Sequence, residues 1–213
     1  MRTALIAGST GLIGTHLLQL LLKDSHYDSV VTVTRKPESV SDLKHKNLVV
    51  DFGTLDNYSD QLKADDVFCC LGTTMKKARS KEAFYKVDHD YPLNLARLTH
   101  ANGAKQFLLV SALGADTRSS FYYNEVKGKT EESIDALNFS TYHIFRPSLL
   151  LGPREENRPG EEAAKTFYRI FNFLIPAKFK GIEAGKVAAA MLHYAKAGIT
   201  GKHIHNSADL QRF

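Results

Sequence analysis

The sequence is short of cysteine, of long apolar runs and of blocks of like charge, and each shortage removes a class of protein. Its two cysteines, Cys69 and Cys70, are adjacent. Neighbouring strand residues point to opposite faces, so a structural disulfide is not expected, and two small apolar residues in a buried strand is the reading that remains. No stretch approaches the roughly 18 apolar residues of a membrane span, so no stable membrane insertion is expected. Met1-Arg2 leads directly into a strand-like segment, which leaves no signal peptide ahead of the fold and makes the cytoplasm the expected compartment. The longest basic block is the pair Lys76-Lys77, with no aromatic-interleaved basic repeat. The net charge of +5 therefore speaks less for nucleic acid than for a ligand carrying several phosphates. Of nine histidines, His203 and His205 stand two apart on an expected strand without a third ligand at metal spacing, so no metal is expected. His89, between Asp88 and Asp90, reads as a solvated or capping residue on a long helix.

What is present suits one α/β domain. The 213 residues are 43% hydrophobic and 24% charged, ordinary globular material with enough length for a substantial core. Short β-branched runs alternate with helical patterns, the signature of a doubly wound parallel sheet covered on both faces. Strands are expected at Thr3–Ala7, Val30–Thr34, Leu48–Val50, Val67–Cys70, Phe107–Ser111, Thr141–Phe145 and His203–His205. Helices are expected at Leu12–Leu22, from Lys81 to about His100 with a stop at Asn102-Gly103, at Tyr122–Leu137 and at Ala184–Lys196. The segment Gly152–Glu162 reads as a charged surface loop, and Ala163–Lys180 is aromatic and apolar. The whole, residues 1–213, reads as a single domain whose C-terminal segment, about 152–200, covers the substrate side.

Between the first strand and first helix lies Ala7-Gly8-Ser9-Thr10-Gly11-Leu12-Ile13-Gly14. Here Gly8 permits a tight turn, Gly11 lets backbone approach a pyrophosphate, and Gly14 lets the helix pack closely on the strand. The helix N-terminus offers free N–H groups to the anion. About 20 residues further on, where NAD-selective folds place an acid for the ribose, stands Arg35 followed by Lys36. Two cations there suit a 2′-phosphate, so NADP(H) is the expected cofactor. Asp51 follows the third strand and is expected to flank the adenine. Gly72 and Thr73, in the loop after the fourth strand, are expected to contact ribose or pyrophosphate.

Tyr123 and Lys127 open the helix after the fifth strand. Their i, i+4 spacing puts both on one face. A phenol is a poor acid–base group at neutral pH until a nearby ammonium favours its ionised form, and the same ammonium can hold a nicotinamide ribose. Tyr123 would then pass a proton to or from a carbonyl oxygen as hydride moves at carbon. Tyr122 has Val126 four residues on and is the weaker choice. Ser111, at the end of the fifth strand, is the candidate hydroxyl for orienting the substrate oxygen.

Taken together, Gly8, Gly11 and Gly14, Arg35, the Cys70–Thr74 loop, Ser111, Tyr123 with Lys127 and the pair Arg146-Pro147 resemble the atypical short-chain dehydrogenase/reductases. More narrowly, Phe68–Thr74, Tyr123–Glu131 with its Val-Lys-Gly core, and the Arg-Pro-Gly-Glu run ending Arg154–Glu161 are similar to the Tat-interacting-protein-like oxidoreductases. That resemblance covers nearly the whole chain and implies a Rossmann fold. It also implies an NADPH site lined by Thr10, Gly11, Leu12, Ile13, Arg35, Gly72, Thr73, Tyr123, Lys127, Pro147, Leu150 and Arg158. It departs from many relatives at Ala112 and Leu113, where a second Ser or Thr often follows the strand-end serine.

The resulting expectation is an NADPH-dependent reductase of a carbonyl on a small, partly apolar substrate. Two alternatives stay open: a non-catalytic NADPH-sensing regulator with a protein partner, and a nucleotide-sugar epimerase or dehydratase. The latter usually needs a longer C-terminal domain than the residues after Pro147 supply. The aromatic run Phe167–Ile175 admits three roles, as the wall of an apolar pocket, a homodimer face or a membrane-surface contact.

Overall fold

The structure is a computed structural model that describes residues 1–151 and 180–213. Seven parallel strands form one sheet: β1 (Thr3–Ala7), β2 (Ser29–Thr34), β3 (His45–Val49), β4 (Asp66–Cys69), β5 (Gln106–Val110), β6 (Thr141–Arg146) and, last in the chain, β9 (Gly201–Asn206). Their spatial order is β3-β2-β1-β4-β5-β6-β9, so the order reverses beside β1. This is the Rossmann arrangement read from the sequence, and such a reversal opens a crevice at the carboxyl ends of the strands.

Both faces are covered because the central strands carry apolar residues on both. On one face Ile6, Phe68, Leu108 and Phe145 bury against α1 (Leu12–Lys23) and α6 (Ala184–Lys196), chiefly Leu17, Leu21, Val187 and Met191. On the other, Leu5, Val67, Phe107 and Ile144 meet Leu95 and Ala96 of α4 (Tyr91–Ala101), Ile134 of α5 (Tyr122–Asp135), and Leu55 in a 3₁₀ segment over Phe52–Gln61. Each fully buried Leu, Ile or Phe adds about 1.5–3 kcal/mol of transfer free energy, which makes this the main stabilising term.

Several elements differ from expectation. The long helix from Lys81 is three pieces: α3 (Lys81–Tyr85), a π-turn over Lys86–Asp90, and α4. That π-turn buries Asp88 and His89, so His89 is not solvated: it hydrogen-bonds Asp90 and Ser133 and stacks on Tyr85. Strand β3 starts three residues earlier than its apolar residues suggest, because His45, Lys46 and Asn47 pair with β2 at an edge of the sheet. A two-strand sheet, β7 (Leu150–Leu151) with β8 (Ile182–Glu183), stands where no strand was expected. Short helices α2 (Met75–Ala78) and α7 (Ser207–Leu210) complete the described elements. No helix among the described residues is long and apolar enough to cross a membrane. The surface loop expected at Gly152–Glu162, Arg158 and the aromatic run Phe167–Ile175 lie outside the described residues.

Candidate functional site

The strand order sets the carboxyl ends of β2, β1, β4 and β5 side by side, spanning about 14 Å at about 4.8 Å per strand. Arg35, the glycine turn, the Gly72–Thr73 loop and Ser111 follow these four strands in that spatial order. Pro147 follows β6, next in line.

At the glycine turn the backbone leaves no room for side chains. Gly8 has φ +87°, and a Cβ on it would lie 2.6 Å from the carbonyl of Cys70. A Cβ on Gly14 would lie 2.0 Å from the Gly8 oxygen, so this glycine brings α1 directly onto the turn. Gly11 is the N-cap of α1 and supplies no capping side chain, and the first turn has no acid. The amides of Leu12 and Ile13 are thus free of a carboxylate competitor, and Thr10 is exposed beside them. A positive helix end with open N–H groups and a backbone cradle fits a pyrophosphate. Beyond β2, Arg35 and Lys36 are exposed. Asp51 is also exposed, and its carboxylate accepts the Gly53 amide at 2.8 Å, capping the 3₁₀ segment.

The second half of the site is a cleft of about 390 Å³ lined by Ser111, Ala112, Leu113, Tyr123, Pro147, Ser148, Leu149 and Leu150. Four sequence candidates (Ser111, Tyr123, Pro147 and Leu150) therefore meet on one concave surface. Helix α5 is held there by Gly128, where a Cβ would come within 2.4 Å of the Asp116 backbone. This is a physical reason for the small residue in Val-Lys-Gly. Phe84 wedges against both tyrosine rings at 5.7 and 6.0 Å. The Tyr122 hydroxyl donates to the Lys81 carbonyl, whereas Tyr123 faces the cleft, in keeping with the preference for Tyr123.

Two buried carboxylates that the sequence reading passed over organise this cleft. Asp88, in the π-turn, pairs with the Lys127 ammonium at 2.8 Å and accepts the Thr73 amide at 2.8 Å. Lys127 and Asp88 are both almost wholly buried. Burial alone would push the Lys127 ammonium toward its neutral form, but Asp88 and the Tyr123 phenol outweigh it and raise the pKa above the ordinary lysine value. A Cβ on Gly72 would lie 3.4 Å from Asp88 and 3.7 Å from the Lys127 nitrogen. Asp88 thus ties the loop after β4 to α5. Only its flanking of His89 was visible in the sequence.

Glu131 is the second. It accepts the Ser111 hydroxyl through Oε1 and forms a two-point ion pair with Arg146. The proton that would orient a substrate oxygen is therefore already directed inward, and Ser111 is buried. The strand-end serine is in the cleft wall, but its hydroxyl serves Glu131. The missed signal is the α5 face: Glu131 follows Lys127 by four residues. Nearby, burial raises the Cys69 thiol to about 12 and also raises Cys70; both cysteines are free.

The comparisons with known proteins agree with the fold. Residues 4–176 match the family described as NAD dependent epimerase/dehydratase. Protein HTATIP2 of Rattus norvegicus is 40% identical over 171 residues, 78% of this chain and 70% of that protein. Protein fmp52, mitochondrial, of Emericella nidulans is 34% identical over 174 residues, 78% of this chain and 75% of that protein. A solved structure of MoeE5 in complex with UDP-glucose and NAD superposes with TM-score 0.73 at 16% identity, covering 95% of this chain and 74% of that one. The fungal names correct the expected cytoplasmic location: relatives at 31–37% identity are named mitochondrial. Mitochondrial targeting segments are amphipathic rather than apolar, so a scan for apolar leaders does not speak to that compartment.

Proposed function

The chain belongs to the NAD dependent epimerase/dehydratase family, and within it we propose an NADPH-dependent reductase of a carbonyl on a small, partly apolar substrate. The observation that carries the reading is the joining of Tyr123 to a wall of Leu113, Pro147, Leu149 and Leu150, with a charged Lys127 buried behind it. The glycine cradle would hold the pyrophosphate, and Arg35 with Lys36 would favour a 2′-phosphate over a bare ribose hydroxyl. Bound there, NADPH would supply the hydride.

The chain's own work is then positioning and proton transfer. The apolar wall would exclude water from the carbonyl face. Tyr123 would donate its Oη proton to the carbonyl oxygen as the carbon accepts hydride, leaving an alcohol and a phenolate that solvent reprotonates through the open cleft. Lys127, kept protonated by Asp88, would stabilise that phenolate and hold the ribose with its remaining N–H donors. Because the Ser111 proton is directed to Glu131, Tyr123 would be the principal donor to the substrate oxygen.

The test is NADPH oxidation against a panel of aldehydes, ketones and quinones. Wild type is expected to turn over at least one class, and Tyr123→Phe to lose about 100-fold or more while binding NADPH normally. Undiminished turnover by the variant contradicts the reading. A second reading, a non-catalytic NADPH-sensing regulator, draws on the engaged Ser111 and the absent second hydroxyl at Ala112 and Leu113. Tight NADPH binding with no turnover across the panel favours it.

A further inference from the structure

Met75–Lys81, which follows the Gly72–Thr73 loop, holds four cations (Lys76, Lys77, Arg79 and Lys81) and no acid. All four are exposed. Among the described residues no carboxylate pairs with Lys76, Arg79 or Lys81. Exposed cations elsewhere do find one: Arg97 pairs with Asp56, Lys196 with Asp24 and Lys202 with Asp135. Arg79 closes α2 at φ +66°, a left-handed conformation that strains an L-residue and that glycine fills freely. The chain carries a cation there instead.

Both ends of this segment are tied to the surroundings of Tyr123 and Lys127. At the front, the Thr73 amide donates to Asp88, the partner of Lys127, and the Thr74 hydroxyl caps α2 by accepting the Lys77 amide at 3.2 Å. At the back, the Lys81 carbonyl accepts the Tyr122 hydroxyl at 3.0 Å, and the Lys81 ammonium lies 5.0 Å from the centre of the Tyr122 ring. Phe84, one turn on, packs on Tyr123. With a helical turn among them, the seven residues between these anchors are too few to stray from the cleft. In the strand order β4-β5-β6 this cationic rim follows β4, whereas the apolar wall of Leu113, Pro147, Leu149 and Leu150 follows β5 and β6. Tyr123 thus has unpaired positive charge to one side and hydrocarbon to the other.

Exposed cations gathered without counter-charges repel one another and concentrate anions near them. An anion seated among them relieves that repulsion, and a carboxylate or phosphate on an otherwise apolar compound is matched by both sides of the cleft. We infer that the substrate is an amphipathic anion: a carbonyl compound whose apolar body lies on the wall of Leu113 and Leu149 and whose carboxylate or phosphate meets Lys76, Arg79 and Lys81. This rests on the reading of Tyr123 as proton donor and names the class of compound that donor serves. Arg79 offers a planar fork to two oxygens, and the two lysines offer point charges. In the sequence the rim showed only as the pair Lys76-Lys77. Its place beside Tyr123 follows from the contact of Tyr122 with Lys81 across 41 positions.

The experiment compares NADPH-dependent turnover of para-carboxybenzaldehyde, para-formylphenyl phosphate and the neutral methyl para-formylbenzoate. The proteins are wild type and the triple variant Lys76→Gln, Arg79→Gln, Lys81→Gln. All three side chains are exposed, so the variant is expected to fold as wild type does. Wild-type kcat/KM is expected to favour an anion over the ester by about tenfold or more, and the variant to bring that ratio within about twofold of unity. Added salt should lower the wild-type ratio as well, since exposed charges are screened. The anion that gains more identifies the group. A ratio that the variant leaves unchanged, or a wild type that favours the ester, overturns the proposal. If no aldehyde is turned over, the reductase reading falls, and calorimetric titration of para-carboxybenzaldehyde judges the rim by itself. Affinity weaker in the variant by about fivefold or more upholds the anion site; equal affinity, or no binding to wild type, overturns it.

Discussion

Asp66 and Asp88 are each 1% exposed and lie at opposite ends of β4, yet their surroundings differ completely. Asp66, at the amino end, accepts four donors at 2.8–2.9 Å: Nε and Nη2 of Arg2, the Tyr27 hydroxyl and the Gln106 amide. Each of its two oxygens accepts two of these donors. Among the described residues, the Asp88 carboxylate, facing the loop at the carboxyl end, has only the Thr73 amide and the Lys127 ammonium. A saturated network rigidifies the fold, whereas a carboxylate with two partners next to a cleft keeps its cation available to a ligand. Burial alone does not separate the two roles; the count of donors and the end of the strand do.

The comparison breaks or sharpens on four measurements, taken from the largest expected loss of stability to the smallest. Asp66→Ala would orphan the buried Tyr27 and Gln106 donors together, at a cost of about 4 kcal/mol by urea unfolding. If it instead changes cofactor affinity with little loss of stability, the two carboxylates have been assigned the wrong way round.

A second buried cluster packs against Tyr194, where His143 and His205 hydrogen-bond each other at 3.0 Å while His143 Nε2 has no hydrogen-bond partner among the described residues. Burial holds His143 down to about 3 and His205 to about 4, from an ordinary value near 6.5. Both are therefore neutral in the folded protein, while the unfolded chain takes up protons once the pH drops below about 6.5. Stability is expected to be full above that value and to fall by about 3 kcal/mol between pH 7 and pH 5. His205→Gln should flatten the slope, and a wild-type profile with no slope contradicts the argument.

Asp88→Asn retains an acceptor for Thr73 but leaves the Lys127 charge without its partner. A loss of about 2 kcal/mol is expected, below the usual range for a buried pair because lysine can shed its proton. Turnover should become dependent on pH in a range where wild type is flat, a change that a merely structural residue would not produce. Last comes Tyr123→Phe, at the exposed end of the same site. Its stability should change by no more than about 0.5 kcal/mol while turnover collapses. A large loss of stability would place Tyr123 with the Asp66 class.

The same contrast explains what the sequence made legible. The central strands were readable because both faces are apolar, as in Leu5-Ile6 and Phe107-Leu108. The glycine turn was readable because Gly8 sits at a positive φ and Gly14 answers to the Gly8 backbone six residues away, both local in the chain. Edge strands were read short, since His45–Asn47 and Gly201-Lys202 pair with one neighbour and lack the apolar residues that mark a strand in sequence. The π-turn at Lys86–Asp90 was read as plain helix, because its helical pattern continues unbroken into α4. Tyr123 and Lys127 were found by their spacing. Asp88, the partner of Lys127, and Glu131, the partner of Ser111, owe their roles to contacts distant in the chain: Asp88 to Lys127 across 39 positions, Glu131 to Ser111 across 20.

The account comes down to one dinucleotide lying across the carboxyl ends of β2, β1, β4 and β5, and a crystal structure of the NADPH complex tests it most directly. It predicts the 2′-phosphate against Arg35 and Lys36, the pyrophosphate on the amides of Leu12 and Ile13, and the nicotinamide in the cleft of Tyr123 and Pro147. A dinucleotide bound elsewhere, or in this crevice with its nicotinamide turned away from Tyr123, would contradict it.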